Sequence, residues 1–152
     1  MLWLPQVLRF PIVYYVSPVD ARAIGGAVAE HGVTHLFTTP TFMESYTRRV
    51  DPWQFGSLRF VITGAEKLRE ATAEAFWRRF GIRPFQGYGC TETSPVVACS
   101  TLDHRGRNVY QMGSKANSVG RVIPGTCVRV VDPATWEDRG EMEEGLLRGG
   151  GA

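Results

Sequence analysis

Residues 58–92 read LRFVITGAEKLREATAEAFWRRFGIRPFQGYGCTE, and this stretch decides the fold. Leu58 to Thr63 is an apolar, β-branched run that stops at Gly64, the pattern of a strand buried on both faces. From Lys67 to Phe80 the period changes: Leu68, Thr72, Phe76 and Phe80 recur every fourth residue and define one face of a helix. Glu74 stands four residues before Arg78, a favourable helical pair, and Gly81 supplies a left-handed stop. Ile82 to Phe85 then predicts a short strand ending in Gln86-Gly87. Strand, helix, strand is a βαβ unit, whose helix is long enough for the crossover that parallel strands need.

Working outward, the same alternation continues and makes the chain α/β, with a largely parallel sheet flanked by helices. On the N-terminal side Arg9 to Val16, rich in Val, Ile and Tyr, predicts a buried strand, and Ser17-Pro18 an N-cap and first helical residue. That helix carries Ile24, Ala27 and Val28 on one face and ends at His31-Gly32. Val33 to Thr38 predicts a strand, and Thr39-Pro40 opens a short helix with Phe42, Met43 and Tyr46, broken by Asp51-Pro52. On the C-terminal side Ser100 to Ser118 is polar and without period, an expected surface loop. Thr126 to Val131 alternates as a strand, Asp132-Pro133 begins a turn, and Gly145 to Arg148 offers a partner strand. The expected organisation is an α/β segment over 1–99, a loop over 100–118, and the start of a β-rich part over 119–152.

Composition sets outer limits. The chain has 152 residues, 43% hydrophobic and 21% charged, which is one domain's worth of ordinary globular sequence. Seventeen basic against fifteen acidic residues leave a net charge of +2 with no clustered basic footprint, so nucleic acid is not an expected partner. Met1 to Val16 is interrupted by Pro5, Arg9 and Pro11, too broken for a membrane span, and lacks the basic start of a signal peptide. Cys90, Cys99 and Cys127 are odd in number and show no CxxC spacing, which argues against disulfides and zinc and for a reducing cytoplasm. His31, His35 and His104 are too far apart in sequence to suggest a metal centre. No GxGxxG follows the first strand, which disfavours a dinucleotide fold.

The chemistry concentrates in two glycine turns. Gly64-Ala65-Glu66 and Gly87-Tyr88-Gly89-Cys90-Thr91-Glu92 each follow a predicted strand, and parallel strands would open both turns on one edge of the sheet, where ligands of α/β folds bind. Gly87 and Gly89 permit close backbone approach, Tyr88 offers a flat face for a purine, Thr91 a hydroxyl for a phosphate oxygen, and Glu92 a carboxylate for Mg²⁺. The competing reading is a plain turn around a core tyrosine.

Tyr88-Gly89-Cys90-Thr91-Glu92 resembles the YGxTE motif of the adenylate-forming (AMP-binding) superfamily of acyl-CoA synthetases, luciferases and peptide-synthetase adenylation domains. Thr63-Gly64-Ala65-Glu66-Lys67-Leu68 is similar to its adenine-binding segment, Thr39-Pro40-Thr41 to its (T/V)PT element, and Val119-Gly120-Arg121 to Pro124-Gly125 to its VGxxxPG stretch. Within it, Leu58 to Leu68 and Ser94-Pro95-Val96-Val97 look most like fatty acyl synthetases of the acyl-carrier-protein or acylglycerophosphoethanolamine type. The resemblance implies a fatty acid ligase that makes acyl-AMP from ATP with Mg²⁺ and passes the acyl group to a thiol of coenzyme A or acyl carrier protein. It implies that Gly64, Ala65, Glu66, Gln86, Gly87, Tyr88, Gly89, Cys90 and Thr91 face the nucleotide. Thr91 and Glu92 would then be catalytic, Glu92 as the Mg²⁺ ligand, with Gly89 and the segment near Phe42 bordering the acyl pocket. The expected location is cytoplasmic, with the cytoplasmic face of the inner membrane as an alternative for the parent.

Three features of that superfamily are absent: a TSGSTGxPKG-like phosphate loop, the TGD segment, and the small domain with its lysine. Glu144-Gly145-Leu146-Leu147-Arg148-Gly149-Gly150-Gly151-Ala152 resembles its EGxLxVRGP strand with residues lost. The expectation is therefore a piece of the large N-terminal domain of a longer enzyme, inactive by itself. The alternative is a non-catalytic remnant or regulatory module of the same fold.

Overall fold

The computed structural model describes residues 3–93 and 95–151, and the described chain falls into two units: Met1–Ile62 with Ala71–Pro84, and Thr63–Glu70 with Phe85–Ala152.

The first unit contains α1 (Trp3–Leu8), α2 (Ala21–His31), β1 (His35–Thr38), α3 (Pro40–Arg49), most of β2 (Phe60–Thr63) and most of α4 (Glu70–Phe80). Helix starts follow cap chemistry. The Asp20 carboxylate accepts from the Ala23 N–H at 3.1 Å, and the Thr39 hydroxyl accepts from the Phe42 N–H at 3.4 Å with Pro40 as first helical residue. Gly32 ends α2 in the left-handed conformation, as expected. The core is aromatic. Phe55 packs on Phe80 with ring centroids 4.9 Å apart and edge-on to Tyr46 at 6.3 Å, while Phe76 meets Phe80 at 4.7 Å. Phe55, Phe76, Met43, Val50 and Val61 are all at or below 1% exposed. Polar groups at the edge of this core are satisfied: the Tyr46 hydroxyl donates to the Pro18 carbonyl at 2.8 Å. The Arg79 guanidinium donates twice to the Val50 carbonyl, beyond the last turn of α3.

The second unit holds β3 (Phe85–Tyr88), β4 (Ala98–Cys99), β5 (His104–Arg105), β6 (Tyr110–Gln111), β7 (Arg121–Val122), β8 (Thr126–Val131) and β9 (Leu146–Gly151). β4 lies antiparallel between β3 and β7, with Gly87 opposite Cys99 and Ala98 opposite Val122. β8 and β9 form a separate antiparallel pair, Thr126 opposite Gly151 through Val131 opposite Leu146, braced by the two-pronged Arg129–Asp138 ion pair. Gly120 enters β7 at φ +91, and a Cβ there would collide with the Cys99 carbonyl, so this glycine lets the two strands close. The class is α/β, as the sequence predicts, with a mostly parallel sheet and flanking helices.

Five local expectations fail. Arg9 to Val16 is not a buried strand. Arg9 is left-handed at φ 55 and the next N–H returns to the Pro5 carbonyl, closing α1; Phe10 through Val16 follow as exposed irregular chain, since Pro11 has no N–H for a ladder. Ser17-Pro18 forms a turn rather than a helix start, because Asp20 is the residue whose side chain caps α2. The helix expected from Lys67 begins at Glu70, after a bend around left-handed Ala65, and the acidic residue sits in its first turn. The strand expected over Ile82 to Phe85 is shifted to Phe85–Tyr88, because Pro84 has no donor for a strand interior. The stretch 100–118 is not wholly irregular either: β5 and β6 pair within it, Arg105 opposite Tyr110.

Candidate nucleotide site

The two glycine turns lie in the same unit and start side by side. Thr63, the last residue of β2, is fully buried, and its hydroxyl donates to the Phe85 carbonyl of β3 at 3.2 Å. One residue on, a Cβ built on Gly64 would lie 3.6 Å from the Gly87 carbonyl oxygen. The turn 64–66 and the end of β3 therefore leave one sheet edge together, as the parallel reading requires. Ala65 holds φ 67, a conformation costing an L-residue about 1–2 kcal/mol, so this turn stores backbone strain at the candidate site.

Gly87 and Tyr88 belong to the strand and not to the loop, which corrects the expected loop start. Tyr88 pairs with Ala98, its carbonyl accepts from the Val97 N–H at 2.8 Å, and its side chain is 43% exposed. The two glycines of the motif differ. A Cβ on Gly87 would meet only ordinary contacts at 3.7–3.9 Å, whereas one on Gly89 would fall on the Pro95 carbonyl. Gly89 is thus demanded by the chain itself. At Gly87 and Gly64 a Cβ would be accepted in ordinary contact, so the packing does not demand glycine there.

Beyond Gly89 the loop makes one turn of 3-10 helix, Thr91–Thr93, and closes on itself through Thr93. The Thr93 hydroxyl accepts from the Cys90 N–H at 3.1 Å and lies 2.9 Å from the Cys90 carbonyl, to which it donates. Sequence reasoning passed over Thr93 and read Pro95 only as part of a family resemblance. The signal for Thr93 was a hydroxyl residue three positions after Cys90, a spacing from which Thr side chains bond the backbone of a turn. This closure leaves Thr91 and Glu92 on the exposed side. The Glu92 carboxyl is held below the usual carboxylate range, first by its own backbone N–H and then by the Cys90 thiol, so it is ionised at neutral pH. Cys90 is exposed, Gln86 is half-buried with its carbonyl accepting from Ser100 N–H at 2.8 Å, and Glu66 is exposed. Phe42 is half-buried on α3 in the first unit.

Among the described residues no cluster of three His, Cys, Asp or Glu side chains exists to hold a metal ion. Glu92 alone fits Mg²⁺ only where phosphate oxygens complete the shell, the usual mode for that ion. No described helix is long and apolar enough to cross a membrane.

Residues 1–152 match the family described as AMP-binding enzyme. The chain belongs to that family. It is 31% identical over 121 residues, 79% of this chain, to the human acyl-coenzyme A synthetase ACSM5, mitochondrial, and covers 19% of that protein. It is 30% identical over 114 residues, 75% of the chain, to the long-chain-fatty-acid–CoA ligase of Yersinia pestis, covering 17% of it. The crystal structure of apo MatB from Rhodopseudomonas palustris superimposes with a TM-score of 0.72 at 25% identity over 88% of this chain and 25% of that one. The chain therefore spans about a fifth of the length of these curated relatives.

Proposed function

We propose that this chain carries the nucleotide-facing segment of an ATP-dependent acid–thiol ligase, which activates a carboxylate as acyl-AMP with release of pyrophosphate and then passes the acyl group to a thiol. The observation that carries the reading is the side-by-side exit of the Gly64 turn and Tyr88: the Thr63 hydroxyl bonds the Phe85 carbonyl, and a Cβ on Gly64 would lie against the Gly87 carbonyl oxygen. In this reading an adenine ring lies on the Tyr88 face and against the backbone of Gly64, Ala65 and Glu66. Gln86 through Cys90 line its approach. The Thr91 hydroxyl donates to a phosphate oxygen, and the ionised Glu92 holds Mg²⁺ beside the phosphates, offsetting charge that develops on the transferred phosphoryl group. The relatives' names favour coenzyme A as acceptor and a fatty acid as one substrate class; an acyl-carrier-protein thiol is the competing acceptor.

The test is a titration of the 152-residue chain with a fluorescent ATP analogue and Mg²⁺. Saturable binding is expected, weakened about tenfold or more by Tyr88→Ala, in line with the ~1–3 kcal/mol of a base–aromatic stack. Glu92→Gln should abolish the Mg²⁺ dependence while sparing metal-free binding. Unchanged affinity in Tyr88→Ala would remove the reading. With no TSGSTGxPKG-like phosphate loop among its 152 residues, the chain is expected to release no pyrophosphate with ATP and a fatty acid.

A further inference from the structure

The strand pair β5–β6 stands apart from the nucleotide turns and is bare on both faces. Every residue from Thr101 to Met112 is exposed. The register places Arg105 opposite Tyr110 and His104 opposite Gln111, so neighbouring side chains alternate between the two faces. The Gly106 N–H donates to the Val109 carbonyl at 2.7 Å, leaving Arg107 and Asn108 as the tip. A two-stranded hairpin without a covered face is marginal in water, and here Asp103 ties its base: its carboxylate accepts from Gly113 N–H at 2.9 Å and Tyr110 hydroxyl at 2.8 Å.

The surface so displayed is amphipathic. Leu102, Val109, Tyr110 and Met112 are each at least half exposed. Over residues 103–121 four cations, Arg105, Arg107, Lys115 and Arg121, face a single acid, Asp103, which is engaged at the base. The Arg121 guanidinium donates to the Met112 carbonyl, which keeps its charge at the hairpin base, and Arg105 lies over the Tyr110 ring at 5.2 Å. An open concavity of ≈ 530 Å³ is lined by Arg105, Arg107, Asn108 and Tyr110, so two cations border one shallow surface depression.

We propose that this hairpin is a docking finger for an anionic lipid surface. Cations at the tip and base match anionic headgroups, and aliphatic and aromatic side chains on both faces match a fluid interface that can surround the finger. A folded acidic protein would cover one face and leave the other wet. The inference does not depend on the nucleotide reading.

Co-sedimentation of the 152-residue chain tests it, with phosphatidylcholine vesicles and with vesicles carrying 30 mol% phosphatidylglycerol as probes. Binding is expected to the anionic vesicles, to weaken with added salt, and to fall about twentyfold or more in Arg105→Gln/Arg107→Gln, at roughly fivefold per surface cation. Val109→Ser/Met112→Ser should weaken binding while keeping the salt dependence. Equal binding to both vesicle types, or anionic binding unchanged in the arginine variant, overturns the proposal. So does retention on an acidic polypeptide such as polyglutamate with no preference for vesicles. Circular dichroism of each variant confirms that the fold is intact, the substituted side chains being exposed.

Discussion

The aromatic cluster of the first unit and the glycine loop of the second are held together by opposite means. Phe55, Phe76, Phe80 and Tyr46 derive their order from burial and ring packing, and any apolar group of the right volume contributes there. The loop residues 89–93 and 95 bury almost nothing. The loop is shaped by a missing Cβ at Gly89, by the Thr93 hydroxyl returning to Cys90, and by strand pairing just before it. Stability and the candidate chemistry therefore sit on different residues, and substitutions should separate them.

The largest effect is expected in the core. Phe76→Ala should lower stability by about 3–5 kcal/mol, read by urea denaturation, because the side chain is fully buried and its neighbours cannot collapse into the void. Loss of under 1 kcal/mol would mean that this cluster is not the core of its unit. The loop responds differently. Gly89→Ala should displace Pro95 and open the loop, removing nucleotide-analogue binding, whereas Gly87→Ala should leave folding unchanged by circular dichroism because its Cβ has room. Equal loss of fold in both variants would erase the distinction between the two glycines. The smallest effect belongs to the hairpin base. Asp103 is held below its ordinary range first by the Gly113 N–H and then by the Tyr110 hydroxyl. A carboxylate depressed in the folded state contributes stability that is present above its unfolded pKa and lost as pH falls through the folded one. The Gly113 amide resonance should therefore shift during acid titration with a midpoint below the ordinary aspartate value.

Much of this comparison was legible in the sequence. The period of Thr72 and Phe76, the Thr39-Pro40 start, the Gly32 stop and the Gly64 turn each rest on chemistry local to a few residues, and each appears where expected. What escaped was non-local. The run Arg9 to Val16 has strand composition, yet composition cannot show whether a partner strand exists, and those residues are exposed. The end of β3 was misjudged because pairing with Ala98-Cys99, ten residues later, carries the strand through Gly87 and Tyr88. The motif glycines looked equivalent in sequence. Only the approach of Pro95 distinguishes Gly89 from Gly87.

Photo-crosslinking of the chain with 8-azido-ATP, followed by mass spectrometry of the labelled peptides, tests the central claim most directly. Label on both the 64–66 turn and Tyr88, competed by ATP and lost from the turn in Tyr88→Ala, is the predicted result. Label confined to other segments, or label on the two that excess ATP fails to displace, would contradict a purine seated between them.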